Sequence, residues 1–246
     1  ELDIQLSRDG EVVVVHDPDL ERVAGDPRKI KDLSYDELTR IPLYPTAAPG
    51  DARAALLPGG EENPPLVVTP SNAPEGYYQH VPLFSDVLKL VAGRVPLIVE
   101  YKFANNATWD DRDVELMEKG QALLAAYDGP FVIELFHPGA VNWYKENHPD
   151  VCRGQLAAWP ASDSARNGSP VDQMRRYAAG SLAFDWLSRP DFVAYDWHGG
   201  AMPQVRLTRS MGAMPVAWTV RSQEEYEACA ERFDRCIFES FVPQAE

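Results

Sequence analysis

Short apolar runs alternate with amphipathic stretches along most of this chain, and that alternation limits its possible folds more than any other feature. The runs are Leu2–Leu6, Val12–His16, Pro96–Tyr101, Phe131–Phe136, Arg153–Ala158, Phe192–Trp197, Pro215–Val220 and Cys236–Glu239. Each has the length and the apolar content of a strand. Helical spacing fills most of the gaps. Phe84–Ala92 places Val87, Leu88 and Val91 on one stripe, and Val114–Tyr127 does the same with Leu116, Met117, Leu123 and Leu124. Pro138–Asn147, Val171–Ala179, Met202–Met211 and Gln223–Arg232 follow the same habit. Ser222, ahead of Gln223-Glu224-Glu225, reads as a helix N-cap with acids in the first turn.

Strands separated by helices predict a parallel sheet with βα crossovers. Val12–His16 is the exception: it follows the turn signal Arg8-Asp9-Gly10 and reads as a hairpin return. Setting it aside leaves seven principal strands, where a closed βα barrel has eight. The predicted class is therefore α/β, a TIM-like (β/α)8 barrel whose first strand is absent from this sequence. An open doubly wound sheet is the alternative, but no glycine-rich phosphate loop follows any strand.

The 246 residues suit a single barrel domain over 1–246. Residues 41–82 break the pattern. They are rich in proline and glycine, and read as a lid loop or small insertion after the first hairpin. A net charge of −15 and the lack of any dense Lys/Arg run argue against a nucleic-acid partner. Cys152, Cys229 and Cys236 fit neither a metal motif nor a disulfide framework. No apolar stretch reaches membrane-spanning length, so no stable membrane insertion is expected. No signal peptide is visible and the expected location is cytoplasmic, although the chain opens inside a strand and its natural start is read as upstream.

The candidate chemistry lies in three places. Glu1 and Asp3 stand at i and i+2, on one side of a strand. The apolar run Pro96–Tyr101 carries Glu100 near its end, with Lys102 two residues on. Three carboxylates at strand C-terminal ends make a hard oxygen site suited to Mg²⁺ or Ca²⁺. Lys102 would hold an anion that also meets the metal. An exposed edge strand with solvated acids fits the same spacing, and both readings stay open. His16-Asp17 ends a valine run and is a candidate acid–base pair or a structural one. Trp218 near a strand end is a pocket wall or core packing. His137 and His148 flank a helix as surface or capping groups, and His198 after a strand end is ambiguous.

The order of these pieces resembles the glycerophosphodiester phosphodiesterase family. The matching segments are Glu1-Leu2-Asp3, Asp9-Gly10, Val13–Asp17, Leu33–Leu38, Val81–Leu88, Glu100-Tyr101-Lys102 and Trp218-Thr219-Val220. The resemblance implies a TIM-like barrel that hydrolyses glycerophosphodiesters to glycerol 3-phosphate and an alcohol. It implies Glu1, Asp3 and Glu100 as ligands of a divalent metal, Mg²⁺ or Ca²⁺. It implies His16 as one of two catalytic histidines, Lys102 as a phosphate contact and Trp218 as a substrate-site residue. In the family's expected route the glycerol 2-hydroxyl attacks phosphorus, and water then opens a cyclic phosphate. The family's other histidine lies in an H-R-G motif upstream of E-x-D, and the sequence begins at Glu1. Leu135, Arg221 and Glu239 depart from common family residues and bear on the substrate group. Two other readings keep the same barrel: a lysophospholipase D or sphingomyelinase D-like enzyme, with a possible apolar ridge at Leu56, Leu57, Val67 and Val68, and a catalytically inactive binding barrel.

Overall fold

The apolar runs become strands with little change of boundary. In a computed structural model that describes residues 1–43, 79–104, 109–158, 171, 174, 177, 178 and 180–244, they are β1 (Leu2–Leu6), β2 (Val12–Val14), β5 (Leu97–Tyr101), β6 (Phe131–Leu135), β7 (Arg153–Ala157), β8 (Phe192–Asp196), β9 (Met214–Val220) and β10 (Arg235–Phe238). Two short strands, β3 (Asp19–Leu20) and β4 (Asp26–Lys29), pair antiparallel and were not predicted. Such short, polar segments carry no period-2 signal. The helix read at Val171–Ala179 and the stretch 41–82 fall partly outside the described residues.

The chain divides into two compact units that interleave in sequence. One holds Glu1, Pro96–Asp110 and Pro130–Glu246; the other holds Leu2–Val95 and Asp111–Gly129.

In the first unit β5 to β10 lie side by side in chain order, every neighbouring pair parallel. Helices Pro138–Asn147, Asp185–Ser188, Pro203–Ser210 and Gln223–Cys229 occupy the successive connections from β6 onward, as βα crossovers require. Side-chain alternation splits the sheet into two apolar faces. One face gathers Leu156, Phe192, Ala194, Val216 and Ile237 with Ile98, Val132, Phe136 and Trp218. The other packs Ala157, Val193, Tyr195 and Ala217 against Val205, Cys229 and Phe233. Ser222 caps the helix Gln223–Cys229, its Oγ accepting from the Glu225 N–H at 3.2 Å, as read from the sequence. Gly154 is where β7 must be smallest: a Cβ there would lie 2.2 Å from the Phe192 ring.

In the second unit β1 and β2 form the predicted hairpin, with Ile4 opposite Val14, Gln5 opposite Val13 and Leu6 opposite Val12. Gly10 supplies the turn at φ 82°, a conformation that side-chain-bearing residues rarely adopt. The helix Asp111–Ala125 closes over the hairpin. Arg112 donates to the Leu6 and Ser7 carbonyls at 2.8 and 2.5 Å, and Lys119 donates to the Gly10 carbonyl at 2.7 Å. Val13, Leu20, Val23, Ile30, Leu33, Leu38, Ile41 and Val81 form the core below. The Leu33–Leu38 motif is a reciprocal capping box: Ser34 Oγ accepts from the Glu37 N–H, and Glu37 Oε2 accepts from the Ser34 N–H. The Leu43 N–H donates to the Gln79 carbonyl at 2.7 Å.

Candidate active site

The site builds upward from β5. Strand alternation puts Ile98 and Glu100 on one side, and Lys102 continues that row just past the strand end. Lys102 Nζ lies 2.7 Å from Glu100 Oε1, with both side chains largely buried. Parallel register sets Glu134 of β6 directly beside Glu100, and Glu134 is wholly buried. Glu1, exposed, completes the group: donor oxygens of Glu1, Glu100 and Glu134 all lie within 4.8 Å of one another. Oxygen ligands at Ca²⁺ distances of about 2.4 Å sit at most about 4.8 Å apart, and at Mg²⁺ distances about 4.2 Å. An all-carboxylate set is the right chemistry for a hard cation, and a span of up to 4.8 Å meets the Ca²⁺ limit, while Mg²⁺ would need the oxygens to draw to within about 4.2 Å. Burying two neighbouring carboxylates is costly unless positive charge accompanies them, and Lys102 supplies part of it.

Glu1 and Glu100 were sequence candidates; Glu134 was not. A glutamate inside the otherwise apolar run Phe131–Phe136 is the same signal that Glu100 gives in Pro96–Tyr101, and it could have been found there. The acids were expected late in their strands. Glu100 and Glu134 are each last but one, whereas Glu1 precedes β1 and Asp3 is its second residue, because β1 stays paired with β2 through Leu6. Asp3 belongs to the other unit, on β1, half-buried.

Trp218 shares an apolar face with Ile98 and Val132, the residues that alternate with Glu100 and Glu134, so wall and carboxylates look to the same side of the sheet. Its indole N–H donates to the Ala194 carbonyl at 2.9 Å, and its ring meets Phe136 edge to face at 5.7 Å. This fixes the indole plane and leaves no indole donor for a ligand. Arg221 and Glu239, both departures from common family residues, pair with each other at 2.5 Å. His137 caps the helix Pro138–Asn147, its Nδ1 accepting from the Gly139 N–H at 3.1 Å. His198 is exposed and holds Asp196 Oδ1 at 2.7 Å.

His16 lies in the second unit, just past β2. Its Nδ1 is 2.7 Å from Asp17 Oδ1, and Asp17 Oδ2 accepts from Arg22 Nε at 2.6 Å. Partial burial pushes the Asp17 carboxyl up, but hydrogen bonds from Arg22 and His16 outweigh it and hold the group below its usual range. With Nδ1 held by Asp17, Nε2 is the ring nitrogen outside that pair, and the His16 side chain is 60% exposed.

Fold and site together define a parallel α/β protein with carboxylates and a lysine gathered at strand ends, the kind of site that takes a hard cation and an anionic ligand. The chain belongs to the glycerophosphoryl diester phosphodiesterase family, whose model matches residues 1–239. A glycerophosphodiester phosphodiesterase of Bacillus altitudinis is 25% identical over 151 residues, covering 61% of this chain and 51% of that protein, so the chain spans about half the length of the curated relative it matches. A Silicibacter pomeroyi structure described as a glycerophosphoryl diester phosphodiesterase superposes with a TM-score of 0.66 at 17% identity, covering 96% of this chain and 78% of the other. An Oleispira antarctica phosphodiesterase, solved with the product sn-glycerol-3-phosphate, gives 0.63 at 16% identity, covering 96% and 79%. These likenesses show the fold class, the TIM-like α/β barrel of that family.

Proposed function

We propose that this protein hydrolyses glycerophosphodiesters to glycerol 3-phosphate and an alcohol, using a divalent cation, Mg²⁺ or Ca²⁺. The observation that carries the reading is the convergence of Glu1, Glu100 and Glu134 beside Lys102, in a chain matched to the family over residues 1–239. Glu1, Glu100 and Glu134 would hold the cation, with Asp3 as the ligand that the family resemblance adds. When bound, such a cation neutralises phosphodiester charge and polarises a substrate hydroxyl.

The remaining work falls to side chains. Lys102, oriented by Glu100, offers its ammonium to the phosphoryl oxygens. His16 moves a proton at Nε2, to or from the glycerol 2-hydroxyl or the leaving alcohol, while Asp17 keeps the ring in one tautomer. Trp218, with its N–H already engaged, presents an apolar face to the glycerol carbons. The Oleispira complex with sn-glycerol-3-phosphate supports a glycerol phosphate product for this fold. The role in lipid and glycerol metabolism follows from that substrate. Among described residues no helix is long and apolar enough to cross a membrane. The lipid-headgroup alternative relied on Leu56, Leu57, Val67 and Val68, which lie outside the described residues.

The test is a phosphodiester panel on the full natural chain, with and without chelator. Glycerol 3-phosphate release that stops with chelator and returns with Mg²⁺ or Ca²⁺ is expected. Turnover unaffected by chelator would refute the metal role. No turnover of any glycerophosphodiester, with lysophospholipids or sphingomyelin cleaved instead, would refute the substrate.

A further inference from the structure

We infer that Gln5 is a positioning residue for His16: its side-chain amide gathers the backbone around the imidazole and so sets where the ring stands. The inference rests on the proposed catalytic role of His16. Gln5 Nε2 lies within hydrogen-bond distance of three successive carbonyls, those of Val15 at 2.9 Å, His16 at 3.1 Å and Asp17 at 2.8 Å, which its two N–H groups share. Successive carbonyls of an extended strand point in alternate directions. Three that face one nitrogen mean that the chain has left the ladder and curls about the amide. β2 indeed ends at Val14, and the last ladder-like bond runs from the Val15 N–H to the Asp3 carbonyl at 3.0 Å.

The geometry has a clear physical need for a donor. Three carbonyl dipoles aimed at one point repel each other, and an amide N–H₂ at that point turns repulsion into attraction. Gln5 sits on β1 opposite Val13, a ladder position with buried neighbours Ile4 and Leu6, so its backbone is fixed before its side chain reaches out. Rigid strand, one amide and three carbonyls therefore transmit the position of β1 to residue 16. The Asp17 carboxylate then sets the ring rotation, with Arg22 behind it. Gln5 fixes the backbone, and Asp17 and Arg22 fix the imidazole.

The experiment compares wild type, Gln5→Leu, His16→Ala and the double variant in the full natural chain, on a glycerophosphodiester with saturating Mg²⁺ or Ca²⁺. Displacing a reacting group by about 1 Å costs on the order of 10²-fold. Gln5→Leu should therefore lower kcat about 10- to 100-fold, with KM within about twofold, and should add nothing to His16→Ala in the double variant. A residue that merely supports the fold would lower Tm and leave the kcat of folded protein unchanged, and that result overturns the inference while the role of His16 stands. Losses that multiply in the double variant also overturn it, because Gln5 would then act apart from His16. Wild-type turnover in His16→Ala overturns the catalytic reading and this inference with it. Should Gln5→Leu not fold, Gln5→Met, which keeps the length and unbranched shape without a donor, is read in the same way.

Discussion

Glu134→Gln offers the sharpest test of the carboxylate group, because it should change the sign of its effect with conditions. The substitution keeps shape and removes one charge from a set whose donor oxygens lie within 4.8 Å of one another. At an effective dielectric of about 20, two unit charges at that separation repel by roughly 3.5 kcal/mol. Lys102, 2.7 Å from Glu100, offsets part of this. In chelator the variant should therefore be more stable than wild type by about 1–3 kcal/mol, a rise in Tm of several degrees for a chain of this size. Cation reverses the order. At a concentration of about 100 times Kd a ligand adds about 2.7 kcal/mol to the protein that binds it. Wild type should gain this from Mg²⁺ or Ca²⁺, and the variant should gain little until far higher concentration. Calorimetric melting of both proteins, in chelator and across a cation titration, reads both halves. A variant that melts at or below wild type in chelator, yet shows the same cation-induced shift, would refute the argument that Glu134 shares the site.

His16→Ala should lower kcat about 10²- to 10⁴-fold with cation affinity nearly unchanged, whereas Glu100→Gln should weaken cation binding and regain activity as cation is added; steady-state kinetics with calorimetric titration separates them. Burial pushes the Asp185 carboxyl up from 3.8 to about 7. A raised acid lends its stability below its unfolded value and loses it as pH rises through the folded one, so wild type should lose up to roughly 4 kcal/mol between about pH 4 and pH 8 that Asp185→Asn does not, read as urea midpoints across that range. Gly154→Ala drives a methyl 2.2 Å from the Phe192 ring and should cost about 1–3 kcal/mol by denaturant titration, with part regained in a Gly154→Ala, Phe192→Leu double variant.

Strands such as β5, β8 and β9 were legible because a parallel strand buried on both faces is written as a mostly apolar run, whereas β7 opens on Arg153-Gly154-Gln155 and shows the signal only weakly. The hairpin was legible from Asp9-Gly10, and the helix caps from Ser34 and Ser222. What failed to show was lateral information. Nothing in the local pattern says that Glu134 stands beside Glu100, because register is decided by the packing of neighbouring strands. The same limit hid the Gln5 contacts: a glutamine in a strand looks like any polar outward residue until the partner strand bends around it. The Asp17–His16 pair was adjacent in sequence and could be guessed, but Arg22 behind it could not. The mutual pairing of Arg221 and Glu239 shows that two departures noticed separately in the sequence meet in the fold.

The hairpin's clamp is made of residues that are synthesised well after it. Gly10 waits for Lys119, 109 positions further on, and Leu6 waits for Arg112, 106 positions on. At about 5–20 residues per second, a ribosome takes roughly 5–20 s to span that distance. Through this interval the Leu6 and Gly10 carbonyls lack those partners and the hairpin emerges without its covering helix, while the Ser7 carbonyl keeps the Gly10 N–H at 3.0 Å. The hairpin is therefore made well before the helix that locks it, and for that interval its unanswered carbonyls are what a chaperone would have to shield.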